Sequence, residues 1–256
     1  LKIGIVGTGK VAQALAKGLK VHGLAIFSVF GRNSKACKAF AAELDAVALD
    51  QMVFEREDLV ILAVSDDALS VVAKEVKLKK GAWLVHTCGS KGLEVFEGIE
   101  HHGVGVFYPL QSFSLGRKVN WSSVRFLIET QDFYLKLILE SMAERLGAMD
   151  CLEMDLPSRL RLHTAAVFAS NFTNFMLIYA HDILKQTDIS FDMLKPLVFE
   201  TFQKAFDLGA AEAQTGPARR FDQKTIQNHS KLLGEKEKEI YQYLSALIQD
   251  YFRNER

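Results

Sequence analysis

Cysteine is scarce in this chain: 3 residues among 256, Cys37, Cys88 and Cys151, far apart and odd in number. That excludes a disulfide framework and argues against a metal site built on paired cysteines, so no metal is expected and a reducing, cytoplasmic setting fits. Excess charge of either sign is also missing. Lys plus Arg (31) balances Asp plus Glu (31), which leaves no compositional basis for a face that displaces counterions from nucleic acid. No apolar run reaches the roughly 18 residues of a membrane span. A strand-like run begins at Lys2, without a charged leader and apolar signal ahead of it, so the expectation is a protein that is neither exported nor inserted in a membrane. Repeats and low-complexity linkers are absent too. What is present is a 49% apolar composition, enough for one large or two modest domains with a substantial core.

From Lys2 to about Cys151, short β-branched runs alternate with amphipathic stretches. The runs "KIGIV", "AIFSVF", "LVILAV", "WLVHT", "GVGVFY" and "VRFLIE" are apolar almost without alternation, as strands covered by helices on both faces should be. This predicts a doubly wound α/β (Rossmann) domain over residues 1–153. The stretch Asp132 to Gly147 reads as a helix ended by its glycine. Beyond residue 153 no strand-like run follows, and 154–256 reads as an all-α domain. "LPSRLRLHTAAVFASNFTNFMLIYAHDILKQ" is one long helix with Pro157 tolerated in its first turn. In "SFDMLKPLVFETFQKAFDLG", Ser190 is a candidate N-cap and Pro196 calls for a late start or a kink. Ile240, Leu244, Leu247, Ile248 and Tyr251 share one face of a last amphipathic helix.

Between the first strand and the first helix stands Gly7-Thr8-Gly9-Lys10-Val11-Ala12, a G-x-G-x-x-A fingerprint. Gly7 permits the tight turn, Gly9 lets a pyrophosphate approach backbone N–H groups at a helix N-terminus, and Ala12 allows close helix–strand packing. The second strand decides which dinucleotide. An NAD site places an acid there for the ribose hydroxyls, yet no acid occurs before Glu43. Arg32, Asn33, Ser34 and Lys35 stand in that place instead and can hold a 2′-phosphate by charge and hydrogen bonds, which favours NADP. The same residues can also cap the next helix, and Ser34 can do both.

Three further loops are expected at strand ends, where ligands bind in this fold. In "AVSDDAL", Val64, Ser65 and Asp66 are placed for the cofactor's ribose, and Asp66 or Asp67 can equally cap a helix. In "HTCGS", Thr87, Cys88, Gly89 and Ser90 can line the nicotinamide side. In "FYPLQSFS", Tyr108 and Pro109 can shape a substrate opening, or Pro109 can be a rigid turn.

On the long helix, about 100° per residue puts Ser170 and Asn174 within about 20° of His163 on either side, with Asn171 about 80° away. The rest is apolar around most of the circumference, so the helix is expected to be buried. Its polar stripe then needs partners: either backbone or a second subunit, or a ligand in an interdomain cleft. In the cleft reading His163 is a catalytic proton donor, since histidine titrates near neutrality, while Ser170, Asn171 and Asn174 orient substrate. In "TGPARRFDQKT", Arg220 can bind a substrate carboxylate, or form a surface pair with Asp222, which can cap a following helix.

With these motifs in order, the chain resembles the two-domain, NADP-linked oxidoreductases of the 6-phosphogluconate dehydrogenase and pyrroline-5-carboxylate reductase superfamily. Within it, the chain is similar over nearly its whole length to a bacterial group of NADP oxidoreductases whose helical second domain has no known function. "HTAAVFASNF" and "TGPARRFDQKTIQNH" are the more specific signals, because they lie outside the nucleotide fold. The resemblance implies hydride transfer to or from a small polar carbonyl or imine, and a homodimer through the helical domain. The chain departs from the group at Cys88, where serine is usual, at Tyr108, where histidine is common, and at Phe221, where glycine is. Better-characterised relatives use a lysine and an asparagine one turn apart, and here His163 and Val167 stand at that spacing. Two alternatives follow: an NADP-binding regulator without turnover, and a deazaflavin-linked oxidoreductase.

Overall fold

The computed structural model describes residues 1–253. The chain divides into two compact units, Leu1–Phe168 and Ala169–Arg256.

The first unit holds ten strands: β1 (Ile3–Val6), β2 (Ile26–Phe30), β3 (Val47–Leu49), β4 (Val53–Phe54), β5 (Leu59–Leu62), β6 (Lys77–Leu78), β7 (Trp83–His86), β8 (Gly103–Leu110), β9 (Arg125–Thr130) and β10 (Asp150–Glu153). Eight form one sheet in the order β10-β9-β8-β7-β5-β1-β2-β3, while β4 and β6 pair separately. The strand order reverses about β1, as a doubly wound sheet requires. Among the described residues, β8 and β9 are the only antiparallel neighbours. The central strands β1 and β5 are buried throughout, which is why their sequences carry no alternation.

Helices α1 (Lys10–Val21), α2 (Ser34–Leu44) and α4 (Phe133–Leu146) cover one face, and α3 (Asp66–Glu75) lies on the other. Asp132 caps α4 by accepting the Leu135 N–H, and Gly147 ends it at φ 73° in the left-handed region where glycine costs least. Gly18 of α1 is a close-approach glycine: a Cβ there would meet the Trp121 indole at 2.6 Å.

Strand β10 and the whole of α5 (Leu156–Ala166) belong to the first unit. The change of composition at residue 153 and the division of packing at 168 therefore fall at different places. α5 is followed by a π-helical segment, Val167–Phe172, and then α6 (Thr173–Leu184). Pro157 sits in the first turn of α5 as expected. The π-turn is a difference with consequences, because i→i+5 bonding abolishes the uniform 100° spacing used to align Ser170, Asn171 and Asn174 with His163.

The second unit contains α6, a 3-10 turn capped by Ser190, α7 (Lys195–Leu208), α8 (Gln223–Ser230) and α9 (Glu235–Tyr251). Pro196 is in the first turn of α7, so it marks a late start and no kink. The expectation that the long helix is buried is not met within one chain: α5 buries only Arg159 and α6 no residue, and α7 has none either. The face of α9 that carries Leu244, Leu247 and Tyr251 is exposed as well. An all-round apolar helix states that its surface needs covering, not which chain covers it. Among the described residues, no helix is long and apolar enough to cross a membrane.

Candidate active site

The glycine loop lies at the carboxyl ends of β1, β2 and β5. A groove of about 970 Å³ opens there, lined by residues 6–11, 30–33 and 63–66 with Ala68 and Val72. Gly7 has φ +121°, and a Cβ on it would stand 2.2 Å from the Ala63 carbonyl oxygen. Its N–H donates to Phe30 O at 2.8 Å. Only glycine fits both demands. Gly9 is the N-cap of α1 without a side-chain cap bond, and a Cβ there would meet nothing within 4 Å. Open space therefore lies beside Gly9 at the N-terminal end of α1, the end whose free N–H groups and dipole favour an anion. Thr8 packs so close to Gly31 that a Cβ on the latter would touch Thr8 Cγ2 at 2.6 Å. This cradle fits a dinucleotide diphosphate.

At the end of β2, Arg32 and Asn33 line the groove and are exposed. The cap of α2 is Asn33, whose Oδ1 accepts the Ala36 N–H at 3.0 Å, so Ser34 does not serve as the cap. Ser34 and Lys35 begin α2 outside the groove lining. Ser65 occupies the N-cap of α3 with no side-chain cap bond, and Asp66 and Asp67 follow in the first turn rather than capping. Lys10, Val11, Val64, Ser65 and Asp66 all line the groove; Thr87, Cys88 and Gly89 do not.

Cys88 and Gly89 belong to a second cluster, around Tyr108 and His163. Tyr108 Oη and His163 Nδ1 are 2.9 Å apart. Gly89 is wedged against both rings, since a Cβ on it would stand 2.7 Å from Tyr108 Cζ and 2.8 Å from His163 Nδ1. Burial pushes the Tyr108 phenol up to about 12, aided by Cys88 and Asp66. The phenol therefore keeps its proton. Ser90 Oγ donates to Asp66 Oδ2 at 2.6 Å and lies 3.3 Å from Cys88 Sγ. Burial opposes ionisation of Asp66, but bonds from Ser90 and Cys88 and the nearness of His163 and Lys91 outweigh it and hold the carboxyl below its usual range. Burial raises the Cys88 thiol, which stays protonated. Thr87 Oγ1 reaches only Leu62 O, at 3.5 Å.

Tyr108 and Pro109 are inside strand β8, not in a loop after it. Pro109 is buried opposite Phe126 in the antiparallel ladder, so it is neither a surface turn nor the rim of an opening.

The fully buried Arg159 was not legible as a site residue. Its Nη1 donates to Glu129 Oε2 at 2.6 Å and to Met154 O at 3.1 Å, and its Nη2 to Lys91 O at 2.6 Å. The available signal was its position one helical turn before His163. His86 was missed too. Its Nδ1 accepts the Cys88 N–H at 3.1 Å and its Nε2 donates to Gly92 O at 3.2 Å. Burial pushes it down to about 4, so it is neutral.

In the second unit, Ser170 and Asn171 lie in the π-helical segment and Asn174 on α6, all exposed. Arg220 is exposed, and Asp222 caps α8 with both carboxylate oxygens on Thr225, at 3.0 and 2.6 Å.

A solved structure described as a "putative NADP oxidoreductase" from Bacteroides fragilis is 33% identical, covers 97% of this chain and 98% of its own, and matches with a TM-score of 0.90. The chain belongs to this NADP oxidoreductase family. Residues 2–88 match the family described as NADP oxidoreductase, coenzyme F420-dependent, and 124–248 match a domain of unknown function. The cofactor of this NADP oxidoreductase is NADP, in keeping with the cradle and with Arg32, rather than an acid, just beyond the second strand. Its fold is shared by a reductive aminase from Aspergillus terreus in complex with NADPH and ethyl levulinate, at 15% identity, 99% and 94% coverage and a TM-score of 0.72. An imine reductase from Myxococcus stipitatus in complex with NADP+ has 16% identity, 99% and 93% coverage and a TM-score of 0.64. No curated protein matches the chain.

Proposed function

We propose that this NADP oxidoreductase reduces the C=N or C=O bond of a small polar substrate, or runs the reverse oxidation, with His163 as the proton donor. The observation that carries the reading is the 2.9 Å contact of His163 Nδ1 with the Tyr108 phenol. Bound NADPH supplies a hydride, so the protein must deliver a proton to the substrate nitrogen or oxygen. As the proton donor, His163 in its charged form donates Nδ1–H to the Tyr108 oxygen and gives its Nε2 proton to the substrate; the neutral ring that remains keeps Nδ1–H on the phenol, so Tyr108 aims the ring before and after the transfer.

For the cofactor we assign Gly7, Thr8, Gly9, Lys10 and Val11 to the diphosphate, and Arg32 and Asn33, flanked by Ser34, to the 2′-phosphate. Val64, Ser65 and Asp66 are assigned to the ribose, and Thr87, Cys88 and Gly89 to the nicotinamide side. Ser170, Asn171, Asn174 and Arg220 are assigned to the substrate. The exposed apolar residues of α6, α7 and α9, with Phe199 and Phe206 among them, support a homodimer through the helical unit. A second reading, hydride exchange with a deazaflavin, is favoured by the family description over residues 2–88.

The test is NADPH oxidation over a panel of oxo acids, imines, semialdehydes and a deazaflavin, with wild type and His163→Ala. Turnover on an imine or carbonyl should fall by about 10²-fold or more in the variant. Turnover unaffected by the change removes His163 from the mechanism. Turnover on the deazaflavin alone selects the second reading, and none on any member leaves an NADP-binding protein without reductase activity.

A further inference from the structure

We infer that Arg159 is a positioning residue that sets His163 against Tyr108, an inference that rests on the reading of that pair given above. Arg159 and His163 stand one turn apart on α5, so they project from the same face. The guanidinium is 0% exposed and joins three segments. Nη1 reaches Glu129 near the end of β9 and the Met154 carbonyl just before α5, while Nη2 reaches the Lys91 carbonyl in the loop after β7.

That loop also carries Gly89, the residue packed against both rings. His86 grips the loop at Cys88 N–H and Gly92 O, and Arg159 grips it at Lys91. Gly89 and Ser90 are thus fixed between two buried clasps, one of which also anchors the helix bearing His163. Removing a guanidinium from water is strongly unfavourable, and an apolar residue fills such a space at less cost. What the apolar residue lacks is a rigid fork that holds three acceptors at fixed angles. The arrangement therefore serves geometry at the ring pair.

The experiment uses the full chain saturated with NADP+, as wild type, Arg159→Met, Arg159→Lys and Glu129→Gln. Nitrogen-15 NMR of the His163 ring reads the Nδ1 hydrogen bond, with Tyr108→Phe as the reference for its loss. Steady-state kinetics on an active imine or carbonyl from the panel separate kcat from KM. In Arg159→Met, the Nδ1 signal should move to the Tyr108→Phe position and kcat should fall about 10²-fold, the scale of an ångström of misplacement, with the KM for NADPH within about threefold of wild type. Arg159→Lys and Glu129→Gln should fall between, since each keeps part of the clasp. If Arg159→Met does not fold, these two variants carry the test by the same graded shift. A wild-type Nδ1 signal in all folded variants overturns the inference, as does a rise in KM at unchanged kcat. A signal that depends on Arg159 while His163→Ala keeps full turnover upholds the positioning and overturns only the catalytic reading.

Discussion

Replacing Gly89 with alanine tests the ring pair with one methyl group. Gly89 lies outside the left-handed region, so its backbone accepts an L residue and the effect is steric. The new Cβ would stand 2.7 Å from Tyr108 Cζ, 2.8 Å from His163 Nδ1 and 2.9 Å from Tyr108 Cε1. Ordinary contact begins at 3.4 Å, so the rings must retreat by about 0.7 Å, the difference between 3.4 and 2.7. Neither ring retreats freely, because His163 is on the helix clasped by Arg159 and Tyr108 is inside the β8 ladder. Overpacking of this kind costs about 1–3 kcal/mol. For a chain of this size that lowers the melting temperature by about 2–4 °C per kcal/mol. Activity should suffer more, with kcat down by about 10- to 100-fold as the 2.9 Å contact is prised open. Calorimetry and NADPH oxidation on the same preparation measure both. A Gly89→Ala enzyme that melts a few degrees lower but turns over at the wild-type rate refutes the argument that this contact matters to the reaction.

Arg32→Ala should weaken NADPH binding by about 10- to 150-fold through loss of a charge-assisted bond worth about 1.5–3 kcal/mol, with NADH unchanged in fluorescence titration; equal losses for both refute the phosphate assignment. His86 is depressed from 6.5 to about 4, so its stabilising contribution is complete above pH 6.5 and is lost as pH falls through the window down to about 4, at about 1.4 kcal/mol per pH unit and about 3 kcal/mol in all. NMR at about pH 5 should therefore find its ring neutral, and a charged ring there contradicts the burial argument. In sedimentation the wild type should run at twice 28.7 kDa, and Phe199→Lys on the exposed face of α7 should shift it toward the single chain; a wild type that stays at 28.7 kDa at all concentrations removes the dimer.

The legible parts of the fold were those where burial leaves a mark on neighbouring residues. The long strands β1, β2, β5, β7, β8 and β9 are covered on both faces, and their apolar runs show it. Strands β3, β4 and β6 are two or three residues long, too short for any period. β10 reads "DCLE", half exposed at the sheet edge, with no apolar run to announce it. The π-turn was invisible because its residues are helix formers in either bonding pattern. The glycine loop could be read because backbone conformation restricts residue type, whereas Arg159 could not: Arg161, two residues on, is exposed, and local pattern does not tell the two apart. Tyr108 and His163 were singled out separately, but 55 residues divide them, and only the antiparallel turn of β8 into β9 and the clasp on α5 bring them together.

The close fit of Trp121 against Gly18 gives the enzyme an optical reporter of its own. The chain has two indoles, Trp83 and Trp121, and Trp121 rests on the helix whose first turn closes the nucleotide cradle. Gly18 is eight residues along α1 from Lys10, about 12 Å at 1.5 Å per residue. The absorption of a bound dihydronicotinamide overlaps indole emission, so NADPH held by the glycine loop is expected to quench Trp121 by energy transfer. Cofactor occupancy should then be readable in real time by light emission without labelling the protein.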